Sequence, residues 1–123
     1  MTERANTAVN IPYEDMREWL EQAERLGEVR HIKGASWEED IGLAAEAILS
    51  AENGPCAVFD DVPGCPKGFR LLLNVFAGTR RNMTLGMPDH FNKWELSDGF
   101  RQALLEDPKY IPHEIVKDGT VLE

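Results

Sequence analysis

The sequence predicts one α/β layered domain, a mixed sheet flanked by helices, followed by a C-terminal linker. Three observations predict it. The apolar residues Met16, Trp19, Leu20, Ala23 and Leu26 recur at steps of three and four, the spacing of one helix face. Short β-prone runs at 28–32, 56–59 and 69–75 alternate with helical stretches. The 123 residues suffice for a single hydrophobic core and make a second one improbable. The expected organisation is a flexible arm over residues 1–11, the folded layer over 12–107 and a linker over 108–123.

The first helix is expected from Tyr13 to Leu26, with acidic residues early and Gly27 to end it. Glu28-Val29-Arg30-His31-Ile32 alternates polar and β-branched residues and predicts a strand packed through Val29 and Ile32. Ser36 and Glu39 have the spacing of a capping box, which predicts a helix to about Ala51. The many apolar residues between Ile41 and Leu49 predict that this helix is covered on more than one side. Asn53-Gly54-Pro55 stops it. Cys56–Phe59 and Phe69–Val75 are then neighbouring strands joined by the turn-rich stretch 60–68. A short helix is expected over 79–85, before Gly86, and a longer one capped by Asp89 and running to about Leu105. Pro108, Pro112 and the polar residues beyond His113 predict the linker.

Charge and composition remove several classes of function. With 22 acidic against 13 basic residues the net charge is −9, which opposes binding to phosphate backbones, so no nucleic-acid partner is expected. The longest apolar runs fall far short of the roughly 20 residues that cross a bilayer, so no membrane partner is expected either. Residues 1–10 lack the apolar core of a secretory signal, and a cytoplasmic location is the default expectation. Cys56 and Cys65 have no common zinc spacing and the three histidines, His31, His90 and His113, are scattered; two reduced thiols, one buried as a small hydrophobe, are expected, and no metal site.

Three segments carry a family resemblance. Met16-Arg17-Glu18-Trp19-Leu20 with Leu26-Gly27-Glu28-Val29 is similar to the opening helix and strand of the UbiD family of decarboxylases. Gly54-Pro55-Cys56-Ala57-Val58-Phe59-Asp60-Asp61-Val62-Pro63-Gly64 resembles that family's Gly-Pro strand and acidic turn. Leu73-Asn74-Val75-Phe76-Ala77-Gly78-Thr79-Arg80-Arg81 resembles its most recognisable N-terminal signature, and the tail Ile111–Gly119 is similar to its crossing into the central domain. The resemblance implies the N-terminal domain or a small subunit of a decarboxylase acting on aromatic or unsaturated carboxylic acids. It implies prenylated FMN with Mn²⁺ and K⁺ in the complete enzyme, held by a central domain, and the remainder of that enzyme as partner. Homo-oligomerisation is an open possibility. No catalytic, cofactor-binding or metal-ligating residue is carried over onto this chain, and none is expected to bind cofactor alone. The alternative from another class is a free-standing, non-catalytic binding or regulatory subunit.

Gly78-Thr79-Arg80-Arg81 offers Arg donors at a helix start, the chemistry of a phosphate site. Without a glycine-rich loop the structural alternative is favoured: Gly78 turns, Thr79 caps, and both Arg pair with acidic neighbours or an adjoining domain. Asn74, Thr79, Arg80 and Arg81 are therefore the candidate domain or partner contacts. Asp60 and Asp61 are assigned to a polar turn beside Pro63-Gly64 rather than to an acid–base pair. The tryptophans Trp19, Trp37 and Trp94 are expected in the core or at a domain contact.

Overall fold

Residues 9–106 and 111–122 are described by the computed structural model; most of the arm expected over 1–11, and the stretch 107–110 where the linker was expected to begin, lie outside them. Helix α1 is Met16–Arg25. It starts after Asp15 instead of at Tyr13 because the Asp15 carboxylate accepts the Arg17 and Glu18 amides at 2.8 and 3.0 Å, satisfying donors that a helix start leaves open. Tyr13, left outside, donates its hydroxyl to the Thr84 carbonyl at 2.7 Å. At the other end Gly27 is left-handed (φ +72°), and the Gly27 and Glu28 amides fold back onto Glu24 and Ala23. This paired closure is a Schellman turn, and it turns the chain directly into β1, Val29–Lys33.

Helix α2, Asp40–Ser50, leads into β2, Cys56–Asp60, which pairs parallel with β1 in the register Val29↔Cys56. The expected capping box is displaced by one residue: the Ser36 amide donates to Asp40, not Glu39, at 2.9 Å, and Ser36 Oγ accepts the Asp40 amide at 3.4 Å. Strand β3 pairs antiparallel with β2, giving the mixed sheet β1-β2-β3. It comprises Leu71–Leu73, shorter than the expected 69–75. Asn74 takes a left-handed φ of +66° and ends the ladder, while Phe69, 70% exposed, never joins it.

Alternation along the strands sorts the core onto two faces. Val29, Cys56, Val58 and Leu72 point to α1 and pack with Trp19, Leu20, Ala23 and Met83. Ala57, Phe59, Ile32 and Leu73 point the other way and pack against Ile41, Ala44 and Ile48 of α2. Val29 and Ile32, the residues through which the strand was expected to pack, both pack, and they serve opposite layers because they are three residues apart. Trp19 and Phe59 are buried to 1% and 0% exposure; each contributes on the order of 2–3 kcal/mol by leaving water. Helix α2 is covered on one side only by the described residues: Leu43 and Leu49 remain 66% and 59% exposed, against the expectation of cover on more than one side.

Helix α3 is Arg80–Thr84 and α4 is Lys93–Leu105. The cap of α4 is Asn92, not Asp89: its side chain accepts the Trp94 and Glu95 amides, and Glu95 returns the bond to the Asn92 amide. Thr84 is a hub between layers, accepting Trp19 Nε1 at 2.8 Å on a hydroxyl that itself lies 2.7 Å from the Arg80 carbonyl. Of the three tryptophans Trp19 enters the core, whereas Trp37 and Trp94 are exposed. A short 3₁₀ turn, Thr120–Leu122, follows the irregular stretch 111–119.

Candidate functional site: a buried arginine and the cavity beside it

Glu28 follows the αL glycine that closes α1, so its side chain emerges at the junction of helix and sheet. Gly78 is also left-handed (φ +61°), and a Cβ there would stand 2.6 Å from Glu28 Oε2, so only glycine admits the carboxylate at this distance. The consecutive amides of Thr79 and Arg80 point at that carboxylate, with N···O distances of 2.9 and 3.2 Å. Such a run of backbone N–H groups after a left-handed residue forms an anion-binding concavity. Here the anion is the chain's own Glu28. Thr79 stands at the cap position expected of it, but its hydroxyl makes no capping bond; Glu28, 51 residues away in sequence, accepts its amide instead.

Arg80 is 0% exposed and closes the same cluster. Its Nη1 donates to Glu28 Oε2 at 2.9 Å, its Nε to the Asn74 carbonyl at 2.9 Å and its Nη2 to the Gly54 carbonyl at 2.6 Å. Asn74 donates its side-chain amide to Gly54 and Pro55 carbonyls at 3.0 and 3.2 Å, so the end of β3 and the entry to β2 are stitched together beside the guanidinium. Of the candidate contact residues the structure thus brings Asn74, Thr79 and Arg80 into one internal network with Glu28. Arg81 turns away from it. Its Nε donates to Asn82 Oδ1 at 3.3 Å, and among the described residues it forms no ion pair.

Asn82, 1% exposed, holds the next loop. Its Nδ2 faces the carbonyls of Pro88, Asp89 and Phe91 at 3.2, 3.1 and 2.8 Å, drawing them toward one point. That loop forms a wall of a cavity of about 470 Å³, whose lining includes Glu28, Arg30, Arg80, Arg81, Asp89 and Phe91. Sequence reasoning did not single out Glu28, Asn82 or Arg30 as site residues. The Gly27-Glu28 pair at a helix end was the available signal for Glu28; nothing local marked Asn82.

Partial burial pushes the Glu28 carboxyl up, but the Arg80 side chain together with the Thr79 and Arg80 amides outweighs it and holds the group below its ordinary value of 4.5. A carboxylate with a lowered folded-state pKa stabilises the fold fully above its unfolded value and loses that contribution as pH falls through the folded one. Stability is therefore expected to decline below about pH 4.5. Asp15, Asp40 and Asp98 are lowered as well, by the Glu18 amide, the Ser36 amide and the Arg101 side chain respectively. Urea midpoints measured from pH 7 to pH 3 for the native chain and for Glu28→Gln isolate the Glu28 share: the variant is expected to show the shallower acid slope, and identical slopes refute it.

The remaining candidates lie apart. Asp60 is the last residue of β2, not part of the turn, and its carboxylate is 3.7 Å from His31, whose other ring nitrogen meets Glu24 at 2.8 Å. Asp61 follows in a left-handed conformation that begins the turn. Among the described residues no group of three or more His, Cys, Asp and Glu side chains is arranged to hold a metal ion. Both cysteines are free, Cys56 buried and Cys65 exposed. Burial pushes the Cys56 thiol up, away from the reactive thiolate, with Arg80 opposing more weakly. In native buffer Cys65 alone is expected to react with a disulfide reagent, Cys56 following only on unfolding; equal rates for both thiols contradict this placement.

Residues 20–99 match the N-terminal domain of 3-octaprenyl-4-hydroxybenzoate carboxy-lyase. The chain belongs to the UbiD family. The match contains the second and third resembling segments entire and the first from Leu20 onward; the tail Ile111–Gly119 lies beyond it. Among curated proteins none matches. In solved structures the fold is similar to vanillic acid decarboxylase of Sedimentibacter hydroxybenzoicus. Its open form with truncated ShVdcD gives 25% identity and a TM-score of 0.65 over 85% of this chain and 22% of that one. The closed form gives 22% identity and 0.64 over the same shares, a likeness of fold. The chain thus spans about a fifth of those structures. Within this UbiD domain the resembling segments meet at one place: Glu28 from the first, Gly54 from the second, and Asn74, Thr79 and Arg80 from the third.

Among the described residues no helix is long and apolar enough to cross a membrane.

Proposed function

We propose that this chain is the N-terminal domain or small subunit of a UbiD-like carboxy-lyase acting on aromatic or unsaturated carboxylic acids, and that it braces the domain that holds the cofactor. The observation that carries this reading is the convergence of the three family segments on Arg80. A signature whose residues meet in a closed, internally bonded cluster supports a role in shaping a rigid layer, since Arg80 has no exposed surface to offer a substrate. Asn74, Thr79 and Arg80 hold the turn from within, and Arg81, half-buried at the cavity, is the contact residue. Helix α2, with Leu43 and Leu49 uncovered, favours an apolar neighbour beyond this layer.

Prenylated FMN with Mn²⁺ and K⁺ belongs to this reading as the equipment of the complete enzyme, where the flavin serves as an electron sink. The Gly78 turn and Arg80 do not fit that group. The concavity that would take a phosphate is filled by the Glu28 carboxylate, and the Arg80 donors are engaged by protein acceptors. The role assigned to the chain is accordingly support, in a cytoplasmic and oligomeric enzyme.

Co-expression with the prenylated-FMN-binding UbiD-type chains of its own source tests the proposal. One of them is expected to co-purify in fixed ratio and to release CO₂ from an aromatic or unsaturated acid at full rate only when this chain is present. Failure of every such chain to associate, at any ratio, overturns it.

A further inference from the structure

We infer that the cavity beside the Arg80 cluster is a binding site for a small oxyanion, a carboxylate or phosphate group, recognised by Arg30 and Arg81. The inference does not depend on the decarboxylase reading. The cavity of about 470 Å³ is lined by three guanidiniums, Arg30, Arg80 and Arg81, against two carboxylates, Glu28 and Asp89. In a chain of net charge −9 this leaves a local positive excess. Arg80 and Glu28 neutralise each other inside the wall. Asp89 is exposed and opposes an incoming anion, yet two cations remain to one anion.

The donors are open. Arg81 is half-buried, and only its Nε is engaged, by Asn82 Oδ1 at 3.3 Å, so both terminal nitrogens have no acceptor among the described residues. Arg30 donates from Nη1 to the Gly27 and Val29 carbonyls at 3.4 and 3.0 Å, which steadies the side chain and leaves Nε and Nη2 open. Neither forms an ion pair among the described residues, although acidic residues far outnumber basic ones. Guanidinium presents its N–H groups in a planar fork that matches carboxylate and phosphate oxygens. The backbone amides at the Gly78 turn are already taken by Glu28, so an external anion is held by side chains alone. Phe91 is among the lining residues, which favours an oxyanion carried on an organic body over a bare one.

The test is a titration of the ¹⁵N-labelled chain with sodium benzoate, sodium acetate and potassium phosphate, at ionic strength matched with chloride. Saturable shifts of the Arg30 and Arg81 Nε–H signals are expected. Benzoate binding tighter than acetate identifies an organic carboxylate; phosphate binding tighter than both identifies a phosphate ligand. Arg81→Gln, and separately the exposed Arg30→Gln, are expected to weaken binding by about tenfold, the effect of losing one charged hydrogen-bond donor group. Linear, unsaturable shifts, or unchanged affinity in both variants with their folds intact, overturn the inference. Loss of anion binding in Arg30→Gln, a residue outside the supporting contacts, while that variant still associates with a catalytic partner separates this site from the supporting role.

Discussion

Asn82→Asp is expected to destabilise the chain by about 3 kcal/mol or more, lowering Tm by at least roughly 12 °C. The two side chains have nearly the same shape, so packing is unchanged. What changes is the sign of the interaction. The Asn82 amide meets three carbonyl oxygens, those of Pro88, Asp89 and Phe91, within 3.2 Å, and a carboxylate would set a charged acceptor against all three in a site of 1% exposure. A protonated Asp restores one donor, so its folded-state pKa is raised and the folded chain holds the proton more tightly than the unfolded chain. The penalty relative to the native chain is accordingly smaller at pH 4 than at pH 7. Paired thermal melts at the two pH values check this. A variant within 1 kcal/mol of the native chain at pH 7 would show that Asn82 does not organise the 88–91 loop.

Arg80→Met carries the second large effect, about 3–5 kcal/mol, the range for removing one partner of a buried ion pair. Methionine fills much of the volume, but Glu28 loses its cation and the carbonyls of Asn74 and Gly54 lose their guanidinium donors. Glu28→Gln in the same chain removes the stranded charge, so the double variant is expected to be more stable than the sum of the single losses predicts. Denaturant unfolding of all four forms measures that coupling. Additivity within about 0.3–0.5 kcal/mol, the usual margin for independent sites, would sink the view that Glu28 and Arg80 act as a unit.

Both predictions concern polar groups, and this is where reading along the chain reached its limit. The apolar residues of α1 placed that helix, and Gly27 placed its end, because each signal acts within a few residues. The strand from Cys56 to Phe59 was equally legible, its four residues buried together. Cap assignments slipped: Asp40 replaced Glu39 in pairing with Ser36, and Asn92 replaced Asp89, since several acceptors lay within one turn of each start and backbone geometry selected among them. The length of β3 was overestimated because the apolar run continues past the residues that find a partner strand. Arg80 and Arg81, adjacent and chemically alike, both border the cavity, but Arg80 is fully buried and paired with Glu28 whereas Arg81 is half-buried and forms no ion pair among the described residues.

By itself the sequence determined the α/β class, the UbiD family, the order of helices and strands, and the surplus of negative charge. Only the tertiary structure decided which face of the sheet each apolar residue serves, that Glu28 is the anion held at the Gly78 turn, and that Asn82 gathers three carbonyls. The reason is one of range. Helix and strand preferences arise from burial and hydrogen bonding between near neighbours, whereas the Glu28–Arg80 pair spans 52 residues. Its formation depends on the three turns at Gly27, Gly54 and Gly78 closing together.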